Sequence, residues 1–178
     1  KKEFGDQGHN LGNSILEIGD GYIISGSINK NSTILKLDKN NGNIIWQNTI
    51  DNGGTDALEQ IVETPSGLVG VGYINAVDEN NTFYTEGQGY ITFFDFKGNK
   101  ISGKLLDDQM SHAYRVLLLN DNLIVSGLTS GAEDYSLMKI SLNGDLDWIK
   151  TYGGIDMDHC FAMDIGEGNS IFLSGHTL

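Results

Sequence analysis

The chain has 178 residues, 11 basic against 24 acidic, for a formal net charge of −13. That charge repels a phosphate backbone and argues against nucleic acid as a partner, and no apolar run approaches the ~18 residues that span a bilayer. Gly (24) and Asn (17) abound while Ala (5) and Arg (Arg115 alone) are scarce, so turn formers outweigh helix formers and an all-β protein is expected.

In chain order, the first expected strands are residues 14–18, 21–28, 33–38 and 44–50, each bounded by Gly, Asn or Asp. The second of them ends in Gly26, and the same apolar run ending in glycine returns at Gly72, Gly127 and Gly175. A turn followed by a strand also recurs, with Asn41 and Gly42 before Trp46, Gly98 before Ser102, and Asn143 and Gly144 before Trp148. From turn glycine to the next strand-end glycine the spacings are 30, 29 and 31; from strand-end to turn glycine they are 16, 26 and 17. One insertion of about ten residues, between Gly72 and Gly98, accounts for the difference. Asn-Gly pairs suit tight hairpins with positive φ at both central positions. Strand interiors such as Ile23 and Ile24 or Leu123, Ile124 and Val125 are apolar on both faces, which suits an innermost strand covered on both sides.

Four strands in each ~45–50 residues is the arithmetic of a β-propeller blade. A β-sandwich requires no such period, and solenoid coils are usually ~20–30 residues long, so both rank lower. Blades are expected over residues 1–50, 51–106 and 107–152, with a partial one over 153–178. That makes about 3.5 blades, fewer than the ~4 that close the smallest ring. A single propeller segment of a larger ring, or of a ring completed by further copies in a homo-oligomer, follows as the expectation.

Leu37 and Asp38, Gly42 and Trp46 together resemble the tryptophan-docking motif of pyrroloquinoline-quinone-like propeller repeats, and the stretch from Ile140 through Gly144 to Trp148 resembles it more loosely. Asn52, Gly53 and Gly54 with Asp56, and Thr151 to Gly154 with Asp158, resemble the repeats of secreted bacterial seven-bladed, quinoprotein-like propellers. The middle copy departs from this pattern, with Ser102 where Trp is expected. The resemblance implies an extracellular, cell-surface or periplasmic location. Trp46 and Trp148 read as rings lying between adjacent blades.

Alignment on the strand-end glycines puts His9, Asp56, His112 (or Ser111) and Asp158, with His159 beside it, in one column. Such a column either offers imidazoles and carboxylates to a ligand or caps its own loops; the capping reading is favoured, because equivalent propeller positions stand too far apart for ~2 Å metal bonds to one ion. Calcium is possible at the oxygen-rich stretches from Asp38 to Gly42, at Asp78 and its neighbours, and at Asp145 and Asp147, although none has a full EF-hand loop. The insertion, residues 75–89, carries Asp78, Phe83 and Tyr84 as candidate contact residues. The single cysteine, Cys160, leaves the redox compartment open. No catalytic constellation stands out. The functional expectation is a non-catalytic module for binding, adhesion or scaffolding, with protein or glycan partners at the cell surface. The alternatives are an enzyme, either a quinoprotein or a polysaccharide-active propeller, and a self-assembling subunit that completes blades between chains.

Overall fold

A computed structural model describes residues 3–77, 86–106, 110–131 and 134–177. The chain is all-β and folds into successive antiparallel sheets in which strand order follows chain order. The first sheet holds β1 (Asn10–Ile18), β2 (Gly21–Ile28), β3 (Asn31–Asp38) and β4 (Ile44–Ile50); the second holds β5 (Thr55–Thr64), β6 (Gly67–Val77), β7 (Glu86–Phe94) and β8 (Lys100–Leu105). The third holds β9 (Met110–Leu119), β10 (Asn122–Thr129), β11 (Tyr135–Ser141) and β12 (Leu146–Tyr152), and the fourth holds β13 (Asp158–Ile165) and β14 (Ile171–Thr177). No helix among the described residues is long and apolar enough to cross a membrane.

Each sheet packs on the next, and the first strands run side by side: β1 meets β5, β5 meets β9, and β9 meets β13. The strand at the shared edge is therefore the first of each sheet. The apolar runs expected to be innermost form the second strand, with β1, β5 and β9 on one edge and third strands on the other, and their side chains are buried by packing against the adjacent sheets. The fourth strands β4, β8 and β12 lie outermost and are largely exposed.

The turns correct a second expectation. Gly42 and Gly144 have positive φ, but Asn41 and Asn143 do not. These loops, like that at Gly98, are followed by a one-residue register shift, the pattern of a longer hairpin with a glycine bulge. Two-residue hairpin loops with both residues left-handed do occur, at Asn29 with Lys30 and at Asn120 with Asp121, of the I′ kind and without glycine.

Three apolar cores fill the seams. Ile18, Ile23 and Ile34 pack with Leu58, Leu68 and Phe94 between the first and second sheets. Val71, Ile91, Met110, Val116, Val125 and Met138 belong to the core between the second and third. Ile124, Leu137 and Met163 join the third to the fourth. Trp46 packs on the first of these cores, and its ring lies against Gly98 of the second sheet, where an added Cβ would come within 2.5 Å of it. Beside it the Asn48 amide donates to the Gly98 carbonyl at 2.6 Å. Trp148 packs with Ile171 and Leu173 on the core of the last seam, and the Lys150 ammonium lies 5.3 Å from its ring centre.

Candidate functional site

The site is built on the first strands, each of which carries a one-residue bulge. The bulge skips Asn13 in β1, Glu59 in β5, Tyr114 in β9 and Phe161 in β13. A bulge re-aims the extra side chain out of the pleat, so these four residues occupy corresponding places in neighbouring strands. The strands are tied across the seams: the Asn13 amide donates to the Leu58 carbonyl at 3.1 Å, and the Val116 N–H donates to Gln60 Oε1 at 2.8 Å.

Around Tyr114 and Phe161 the rings form a continuous ribbon through three sheets. Tyr73 from β6 lies 4.5 Å from His112, His112 lies 5.8 Å from Tyr114, and Tyr114 meets Phe161 edge-on at 5.6 Å. Phe161 then touches His176 at 5.5 Å and His159 at 5.7 Å, and the two histidines stand 5.0 Å apart. His112 and His159 are buried; Tyr73, Tyr114, Phe161 and His176 are half-buried and keep part of each ring open to solvent. Burial drives the His112 imidazole down to about 4, so it is neutral at physiological pH.

Next to the ribbon lie Glu59 and Arg115. Burial raises the Glu59 carboxyl to about 7, against the pull of the Arg115 guanidinium. Arg115 in turn donates to the Tyr114 carbonyl at 2.8 Å. The patch thus combines open aromatic faces, the chain's one guanidinium and a carboxyl able to change charge near neutral pH.

The strand registers rearrange the expected column. Asn10, not His9, aligns with Asp56, Ser111 and Asp158, while His112 aligns with His159 one step further along. His9 is exposed, and its carbonyl accepts from the Asn29 N–H. Asp56 is buried and accepts from the backbone N–H groups of Asn52 and Asn75 at 2.9 and 3.0 Å. Asp158 accepts from the Gly154 N–H at 2.6 Å, and hydrogen bonds from the Thr177 hydroxyl and Gly154 hold its carboxyl below the usual range. These carboxylates tie down their own loops. His112 and His159 alone of the column enter the ribbon. Burial also pushes the Cys160 thiol up.

The oxygen-rich turns are similarly occupied. Asp38 caps the N–H groups of Asn40 and Asn41, Asp145 pairs with Lys104, and Asp147 pairs with Lys139. Among the described residues no group of three His, Cys, Asp or Glu side chains is placed to hold a metal ion. Asp78, Phe83 and Tyr84 lie outside the described residues.

Sequence reasoning missed Glu59, Tyr73, Tyr114, Arg115, Phe161 and His176. One signal was available: Asn13, Glu59 and Tyr114 each stand 13 residues before a strand-end glycine, and Phe161 stands 14 before its own. No family model and no curated protein matches the chain.

Proposed function

We propose that the chain is an arc of a β-propeller of the quinoprotein-like repeat class, acting outside the cytoplasm as a non-catalytic binding or scaffolding module. The ~50-residue period, the succession of four-stranded meanders and the side-by-side first strands support the propeller reading. Its location rests on the resemblance of the tryptophan and double-glycine motifs. The contact surface is the ribbon, because half-open aromatic rings beside an arginine are the side chains that dominate binding energy at interfaces.

The partner is a protein or glycan chain at the cell surface that lays an apolar face across Tyr114 and Phe161. A glycan array and a panel of surface-protein ectodomains test this, with Tyr114→Ala and Phe161→Ala each expected to cut the bound signal at least about tenfold. Undiminished binding by both variants would exclude the ribbon as the contact surface. Glu59, held at about 7 beside Arg115, favours the enzyme reading as the rival. That rival requires turnover of a polysaccharide or quinone-linked substrate that Glu59→Gln abolishes.

A further inference from the structure

We propose a second binding site, distinct from the ribbon: the cleft between the second and third sheets takes a small planar aromatic compound of about indole size. Trp46, Ser102 and Trp148 each stand four residues after a turn glycine. Across the ladder they face Lys36, Phe93 and Lys139. The outer two seams therefore carry an indole on the outermost strand, opposite a lysine. The middle seam has moved its aromatic ring across the strand pair, from β8 to Phe93 on β7.

That exchange leaves space. At Gly98 the Trp46 ring comes within 2.5 Å of where a Cβ would stand; at the corresponding Gly144, Phe93 and the Lys104 stem approach only to 3.2 Å. Phe93 thus covers the turn glycine from the inner strand while exposed Ser102 leaves the outer part of the seat open. A cleft of ≈ 240 Å³ results, lined by Val69, Phe93, Ile101, Ser102, Leu142 and Asn143. Leu142 and Asn143 belong to the same turn as Gly144, as Phe96 and Lys97 belong to that of Gly98. The volume falls just below the ~300–1,000 Å³ of sites for drug-sized ligands, which suits a one- or two-ring fragment. Val69, Phe93, Ile101 and Leu142 give the lining its apolar part, and Thr64, Ser66, Ser102 and Asn143 supply polar partners. The first seam indicates the occupant, since there the Trp46 indole lies against the corresponding turn glycine, Gly98.

Indole is the probe, followed by calorimetry and by amide chemical shifts on the full chain. Saturable binding with a Kd of roughly 1 mM is expected, with the largest shifts at Ser102, Leu142 and Asn143. Ser102→Trp should fill the seat from within, weaken indole binding at least about tenfold and raise Tm by about 2–4 °C. Should that variant fail to fold, Leu142→Glu places a charge in the wall and is expected to lose the same binding with its circular dichroism unchanged. No saturable binding to the native chain, undiminished binding in a folded variant, or shifts centred on Tyr114 and Phe161 would each overturn the proposal.

Discussion

Replacing Gly98 with Ala tests whether tryptophan docking holds the first seam. Gly98 has φ +79°, and an added Cβ would meet three ring atoms of Trp46 at 2.5–2.7 Å. The left-handed backbone alone costs an alanine about 1–2 kcal/mol. The ring cannot swing away cheaply because it is packed on Ile18, Ile23 and their neighbours, so overpacking adds about 1–3 kcal/mol. The sum, about 2–5 kcal/mol, lowers Tm by about 4–20 °C for a chain of this length. Gly144→Ala is the control: its φ is +82°, yet its Cβ would meet Phe93 and the flexible Lys104 stem at 3.2 Å, so only the backbone cost of about 1–2 kcal/mol remains. Urea melts followed by far-ultraviolet circular dichroism provide the assay, since fluorescence would report on the perturbed indole itself. In the double variant Trp46→Ala with Gly98→Ala the steric part should vanish, leaving a coupling of about 1–3 kcal/mol. Equal losses for the two single glycine variants, within about 0.5 kcal/mol, would refute a ring seated on that turn.

The other predictions concern titration and buried polar groups. Glu59, raised from 4.5 to about 7, contributes stability that is complete below pH 4.5 and is lost as pH rises through 7; His112, lowered from 6.5 to about 4, contributes stability that is complete above pH 6.5 and is lost as pH falls through 4. Between pH 4.5 and 6.5 the two slopes oppose each other at about 1.4 kcal/mol per pH unit each. Relative to the native chain, Glu59→Gln should therefore add a rise in stability with pH in that window, and His112→Phe a fall; parallel curves for all three in denaturant titrations would contradict the assigned shifts. Asp56→Ala strands the N–H groups of Asn52 and Asn75 and should cost about 2–4 kcal/mol by urea melt. Ser25 is fully buried, and its hydroxyl finds no partner among the described residues, while the second sheet has Val71 at the corresponding place. Ser25→Ala should accordingly gain about 1 kcal/mol, and a comparable loss would reveal a partner for that hydroxyl.

Strand positions were legible in the sequence because apolar runs and turn residues alternate at a regular interval; residues 21–28 and 44–50 coincide with β2 and β4. Which strand lies at the shared edge was not legible, because apolarity reports burial of the sheet faces, and a second strand packed against the adjacent sheet is as apolar as one at the edge. Turn geometry was misread for a related reason. Asn-Gly pairs signal positive φ, yet the bulge that follows Gly42 shifts the register and requires only the glycine to be left-handed, while Asn29 and Lys30 adopt the two-residue turn without one. The site was obscured by the bulges: period-two alternation places Glu59, Tyr114 and Phe161 on the wrong face unless one residue is dropped from each strand. His112 and His159 were flagged, but their ring partners Tyr73 and His176 come from second strands, paired through a register that sequence spacing does not reveal.

Among the described residues the three seam cores differ in size, with eleven buried apolar residues between the second and third sheets, seven between the first and second, and three between the third and fourth. In a linear array whose principal contacts join neighbours, the free energy of opening a unit is set by the seam that must part. Amide hydrogens of β13 and β14 should therefore exchange with solvent well before those of β6 and β10. His159, Phe161 and His176 lie on β13 and β14, so the half of the aromatic ribbon that they carry is expected to open more readily in the 178-residue chain than the half carried by Tyr73 and His112.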